Sequence, residues 1–336
     1  MSEEGKILSD RKADHINMAF ESQVNVADSR FNYEPIEAFN LNEPLPNVQW
    51  GDKTMAMPWW ISSMTGGAEM AGPINELLAK ACQKYGLGMG LGSCRPVLEN
   101  SSFSKDFFVR KWMPDQPLYA NLGIAQLEEL HLAGQWSKLE QMLDKLEADG
   151  LIIHLNPLQE WMQPEGDEIN KYPLDTIKRT LDALDKHVIV KEVGQGFGPH
   201  TMTELMKLPL LALDFGSLGG TNFSKLEHIR RTEESYPGYE EVTKIGHTAY
   251  EMADMANELM AALGNDVACK NIIISGGIKN FLDGYYFVNK VNMPAIYAQA
   301  SPFLKYTMQG AEALDKFIES QIAGFQMASK TLRIKE

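Results

Sequence analysis

From Lys53 onward the chain alternates two hydrophobic rhythms. Short apolar runs read as strands: PWWISSM, LGMGLGS, PLYANLG, LIIHLN, HVIVKEVG, LLALDFG, NIIISGG and PAIYAQA. Between most of them lie stretches of helical period, such as GPINELLAKACQKYG, QWSKLEQMLDKLEADG, LDTIKRTLDALD, TMTELMKL and HTAYEMADMANELMAAL. Such alternation predicts parallel βαβ units, and eight units in about 280 residues fit a closed (β/α)8 barrel, an α/β TIM-barrel fold, better than an open sheet. Gly86 and Gly150 stand where a helix gives way to the next strand, which predicts helix C-caps there. Residues 1–50 are polar and poor in pattern and read as an N-terminal arm; residues 51–336 are the expected barrel, with an insertion after strand six.

Composition narrows the function classes. With 336 residues, 44% of them hydrophobic, the chain can bury a large core. A net charge of -14 and a pI near 5.0 disfavour nucleic acid and anionic membranes as partners. No apolar run approaches the roughly 18 residues of a membrane span. The N-terminus, MSEEGKILSDRKADH, is charged and has no apolar signal core. The three cysteines, Cys82, Cys94 and Cys269, are too few and too scattered for a disulfide framework or a zinc site. A reduced, cytoplasmic protein is the expectation.

The strand ends carry the candidate chemistry. Most run into Gly, Ser, Thr or Asn, and in a barrel those ends converge on one ligand-binding face. Ser275, Gly276 and Gly277 follow strand seven, where a backbone free of Cβ atoms can approach a phosphate; Thr221, after strand six, could add a hydroxyl. Lys191 lies inside the apolar run of strand five, where burying a charge is costly without a partner. Either it reaches the rim or it faces a negatively polarised atom of a cofactor. Strand four ends in LIIHLNPLQEWMQPEGD, which places His154, Asn156, Gln159 and Glu160 within a few residues at the mouth. Glu227, in SKLEHIRR, is either a second carboxylate near a metal or an exposed helix charge. One Gly-rich phosphate site follows strand seven, and no GxGxxG dinucleotide signature opens a βαβ unit.

MTGG, GLGS, ANLG, HLNPLQEWMQPEGD, VKEVGQGFG, DFGSLGGTNF and SGGI occur in the order seen in type 2 isopentenyl-diphosphate isomerases, which the chain resembles over nearly its whole length. The N-terminal RKADHI resembles that family's substrate-binding arm. The resemblance implies a (β/α)8 barrel, FMN, Mg2+ and a homo-oligomer, with NADPH as reductant. It implies a 1,3-allylic proton shift between isopentenyl and dimethylallyl diphosphate. Carried over by motif, Ser62, Ser63, Met64, Thr65, Ser93 and Asn121 line the flavin ring, and Lys191 faces its N1–C2 carbonyl side. Thr221, Gly276, Gly277, Gln299 and Ala300 reach the ribityl phosphate. Arg11, Lys12 and Arg95 hold the diphosphate; Ser93, His154, Asn156 and Gln159 face the substrate, with Gln159, His154 and Lys191 as the catalytic set; Glu160 binds Mg2+. Cys94 stands where Gln is usual, Phe223 where Trp is usual, Phe281 in place of a Gly and Ser301 in place of an Arg. The competing expectations are an FMN-dependent 2-hydroxy-acid oxidase, which needs a His base and an Arg clamp that SGGIKNFLDG does not offer, and a non-catalytic flavin-binding barrel.

Overall fold

The computed structural model describes residues 3–41, 43–63, 70–230 and 238–335. Eight parallel strands close into a barrel in chain order: β1 (Trp59–Ile61), β2 (Gly88–Gly90), β3 (Leu118–Gly123), β4 (Gly150–Leu155), β5 (His187–Glu192), β6 (Ala212–Asp214), β7 (Ile272–Ile274) and β8 (Ala295–Gln299). Each coincides with one of the eight apolar runs.

The runs lack visible alternation because both faces are buried. The structure separates the faces. Trp59, Leu151, Ile153, Val188, Val190, Ile272, Ile274 and Tyr297 pack outward against the helices. Trp60, Tyr119, Ile152, Ile189, Ala212, Ile273, Ile296 and Ala298 fill the barrel interior. Side chains alternate with period two along a strand, so the next interior position is two residues further on. Those positions are Ser62, Asn121, His154, Lys191, Asp214, Ser275 and Ala300. The mouth is therefore polar by the same register that makes the floor apolar.

The opposite end is plugged. An antiparallel hairpin, Val48–Trp50 with Lys53–Met55, inserts Trp50 beneath Trp60, their ring centroids 5.5 Å apart. The boundary expected at residue 50 thus falls inside a hairpin that belongs to the barrel. Phe31–Tyr33 also joins the body, pairing antiparallel with Leu332–Ile334 at the C-terminus. The helix Glu3–Asn17 stands apart, with its described side chains exposed.

Gly86 caps the helix Ala71–Tyr85 in the left-handed region, as expected. Gly150 does not cap a helix. It opens β4, where a Cβ would lie 2.3 Å from the His187 carbonyl oxygen, and Glu147 takes the left-handed cap of the helix Trp136–Leu146 instead, at φ 49°. That glycine answers to a close approach of two strands, not to helix termination.

Candidate active site

Over β5 to β8 the mouth holds a cleft of about 300 Å³. Ser62, Ser63, Lys191, Thr221, Gly276, Gly277, Gln299 and Ala300 line it, eight of the residues expected at the flavin. Its outer end is backbone. Gly219 and Gly220, after β6, face Gly277 and Gly276, after β7, so closely that Cβ atoms on the first pair would sit 3.0 and 3.1 Å from the opposing Cα atoms. Gly276 has φ +88°, and a Cβ there would meet the Ser217 carbonyl oxygen at 2.0 Å. Among the described residues, the amides of Gly219, Gly220, Gly276 and Gly277 find no acceptor in the protein. The hydroxyls of Thr221 and Ser301 approach to 3.4 Å across the opening, and Lys279 adds an ammonium. Free amides, hydroxyls and a cation form a phosphate cradle that any Cβ would fill. The residues present therefore fit a flavin mononucleotide.

The departures from the family pattern leave the cradle open. Ser301 substitutes a hydroxyl for a longer cation. Phe223 keeps an aromatic face on the cleft. Phe281 turns away, with its ring packed over Gly324 of the helix Ala311–Thr331. Cys94 is buried, accepts from the Asn121 amide, and has its thiol pushed up to about 12 by burial, so it is no nucleophile. Gln299 serves structure more than ligand: its side chain accepts from Trp59 Nε1 at 3.1 Å and donates to the Ile278 carbonyl at 3.0 Å, fastening the loop that carries Gly276 and Gly277. Met64 and Thr65 lie outside the described residues.

Across the mouth, β1 to β4 present side chains instead. Asn121 Nδ2 donates to Ser63 Oγ at 2.9 Å, which fixes the amide so that its oxygen accepts from His154 Nδ1 at 2.6 Å. Burial, and then the charge of Lys191, hold the His154 imidazole down to about 4. His154 is neutral at pH 7, with Nδ1 protonated and a lone pair on Nε2. Asn156, which N-caps the helix Pro157–Met162, donates from Nδ2 to Glu160 Oε1 at 2.6 Å and to Gln159 Oε1 at 3.2 Å. The Asp167 amide holds the other Glu160 oxygen at 2.8 Å. Asn156 Oδ1 is buried and has no donor. Asp167 in turn pairs with Arg95 at 2.7 Å and accepts from Gln126 at 2.6 Å. Among the described residues no group of three or more His, Cys, Asp or Glu side chains could hold a metal ion by itself; Glu160 is the carboxylate of this cluster that could give one ligand to a hard cation such as Mg2+, which fills its remaining positions from substrate and water.

Not every expected residue is brought together. Ser93 is exposed at the mouth, outside the cleft lining. Arg11 and Lys12 lie on the exposed helix Glu3–Asn17 and do not line the cleft. Glu227 is not an exposed helix charge. It is buried at 4% exposure on the helix Phe223–Arg230, paired with Arg230 at 2.6 Å.

Two buried carboxylates beside the cleft escaped the sequence reading. Asp214 lies at 1% exposure beside Lys191. Glu192 accepts from the amides of Gly194, Gln195 and Gly196 at 2.7, 2.6 and 2.8 Å and so shapes the loop after β5. Burial nonetheless raises its carboxyl above the ordinary range. An acid inside an apolar strand is the same signal that exposed Lys191, and the two-residue register would have found Asp214.

A closed eight-stranded barrel whose mouth places free amides after strands six and seven, with a buried lysine lining the cleft, defines a TIM-barrel protein with a phosphate-sized cradle at its mouth. Solved structures share the fold: a flavocytochrome b2 variant with sulfite bound matches with a TM-score of 0.60 at 11% identity, over 89% of this chain and 71% of that one. A mandelate oxidase with a monooxide FMN adduct matches at 0.50 and 11%, over 88% and 85%. No protein-family model matches the chain. Whole-length relatives do. The isopentenyl-diphosphate delta-isomerase of Nostoc sp. (strain PCC 7120) is 33% identical over 321 residues, 93% of this chain and 88% of the relative. That of Synechococcus sp. (strain PCC 6301) is 34% identical over 324 residues, covering 94% and 90%. The chain belongs to the isopentenyl-diphosphate delta-isomerase family.

Proposed function

We propose that this chain interconverts isopentenyl and dimethylallyl diphosphate by a 1,3-allylic proton shift, with reduced FMN and Mg2+ as cofactors and NADPH as the reductant. One observation carries the proposal: a glycine-lined phosphate cradle and the Asn156–Gln159–Glu160 cluster share one barrel mouth, with Lys191 and His154 adjacent in register between them.

The reaction must protonate one alkene carbon and deprotonate another. An unactivated alkene is a weak base, so positive charge develops at a tertiary carbon, and the site must face it with electron-rich groups. Reduced FMN, when bound, would supply electron density and a protonable N5. Neutral His154 presents a lone pair and adds no charge to repel the cation. Gln159, held through its oxygen by Asn156, is an orienting group, since an amide has no useful proton to give at pH 7. Glu160 would be a ligand of Mg2+, which would supply positive charge for the diphosphate. Arg95, steadied by Glu99 at 2.8 Å and Asp167 at 2.7 Å, keeps guanidinium N–H groups for phosphate oxygens, and Arg11 and Lys12 join it from the arm.

The fold's 2-hydroxy-acid oxidase relatives favour a second reading, redox turnover. Against it, the described loop from Ser275 to Asp283 carries neither His nor Arg. Incubation with isopentenyl diphosphate, Mg2+ and reduced FMN decides. Formation of dimethylallyl diphosphate, near-inactivity of the oxidised enzyme and no stoichiometric use of NADPH are expected. Full activity with oxidised FMN, or one NADPH consumed per turnover, would establish the oxidoreductase. We further propose a homo-oligomer in the cytoplasm; no described helix is long and apolar enough to cross a membrane.

A further inference from the structure

Lys191 does not stand alone at the floor of the cleft. Its Nζ lies 3.2 Å from Asp214 Oδ2 and 3.4 Å from Ser275 Oγ. The Ser275 hydroxyl donates to Asp214 Oδ1 and accepts from the Gly216 amide at 2.9 Å. The three side chains stand on or just beyond β5, β6 and β7, with Lys191 and Asp214 in direct register. All three residues are buried, at 8%, 1% and 4% exposure. The backbone thus anchors the serine, the serine anchors one carboxylate oxygen, and the other oxygen faces the ammonium.

An ammonium carries three protons. Two of them face Asp214 and Ser275. The third has no acceptor among the described residues, and Lys191 lines the cleft. We propose that Asp214, with Ser275, is a positioning residue: it keeps Lys191 charged and aims its remaining proton at the flavin ring, and so sets the flavin's reduction potential. The proposal rests on the flavin assignment above. Its physical basis is the cost of a lone buried charge. A desolvated amine that loses its counter-ion either sheds its proton or turns toward water, and in both cases the ring loses the cation that stabilises its anionic reduced form.

The test is the two-electron reduction potential of the FMN-loaded protein, with FMN dissociation constants measured in both redox states. Asp214→Asn should weaken reduced FMN about tenfold relative to oxidised FMN, a potential drop of about 30 mV. Ser275→Ala should shift it the same way by less. In a Lys191→Met background, Asp214→Asn should move the potential no further, because the carboxylate acts only through the ammonium. That double variant removes both charges of the buried pair, so it decides the matter even where Asp214→Asn alone does not fold. An unmoved or raised potential in Asp214→Asn, or a further full shift in the double variant, overturns the proposal while the flavin assignment stands. A wild-type chain that takes up no FMN overturns both.

Discussion

The two halves of the barrel mouth are built from different material. Over β5 to β8 the cradle is backbone: Gly219 and Gly220 press against Gly276 and Gly277, and amides point outward. Over β1 to β4 the surface is side chain: Ser63, Asn121 and His154 form one chain of hydrogen bonds, Asn156, Gln159 and Glu160 another. A backbone site depends on steric room and is indifferent to pH. A side-chain site depends on donors and acceptors keeping their protonation states, and it fails by degrees. One half is therefore suited to holding a cofactor permanently, and the other to chemistry on a substrate that comes and goes.

The most severe way to break that comparison is Gly276→Val. A Cβ at φ +88° and 2.0 Å from Ser217 must displace the cradle. FMN affinity should fall about a thousandfold, roughly 4 kcal/mol, with the barrel's circular dichroism retained. FMN bound at native affinity would show that side chains hold the cofactor.

Next in size is pH, which should act on the side-chain half through His154. His154 titrates at about 4 in the fold against an ordinary 6.5, so the unfolded chain takes the proton first. Its contribution is whole above pH 6.5, is lost as pH falls toward 4, and changes no further below that. The loss should approach about 3 kcal/mol. Urea unfolding at pH 7 and near pH 4.5 measures it, and His154→Gln should flatten that slope. An unchanged slope would place the imidazole in solvent.

Glu160→Gln keeps the shape and the Asn156 contact but removes the metal's charge. We expect kcat to fall about a hundredfold, roughly 2.7 kcal/mol, with weakened Mg2+ dependence and FMN binding intact. Loss of FMN with the metal response unchanged would assign Glu160 to the other half.

The smallest effect should come from the arm. The net charge of -14 repels a diphosphate, and Arg11 and Lys12 counter that field locally. Arg11→Ala with Lys12→Ala should raise KM about tenfold, roughly 1.4 kcal/mol, without touching FMN. An unaltered KM would leave the helix Glu3–Asn17 a plain surface element.

By itself the sequence determined the barrel, because eight apolar runs buried on both faces, spaced by helices, have few other ways to hide. It also determined the cradle, since Gly at fixed places after strands six and seven reports a steric requirement that holds wherever the loops lie. Lys191 and His154 were legible for the same local reason, as polar groups inside apolar strands. Tertiary structure alone decided the rest. Whether Gly150 capped a helix or admitted a neighbouring strand depended on where His187 lay. Whether Glu227 was exposed depended on what packed over its helix. Asp214, 23 residues from Lys191 in sequence, became its counter-ion only when β5 and β6 paired in register. Gln299 became a brace for the Gly276 loop only when Trp59 and Ile278 came within reach. Partnership between side chains is a matter of distance, and distance between strands is set by the closure of the barrel, which no local stretch of sequence contains.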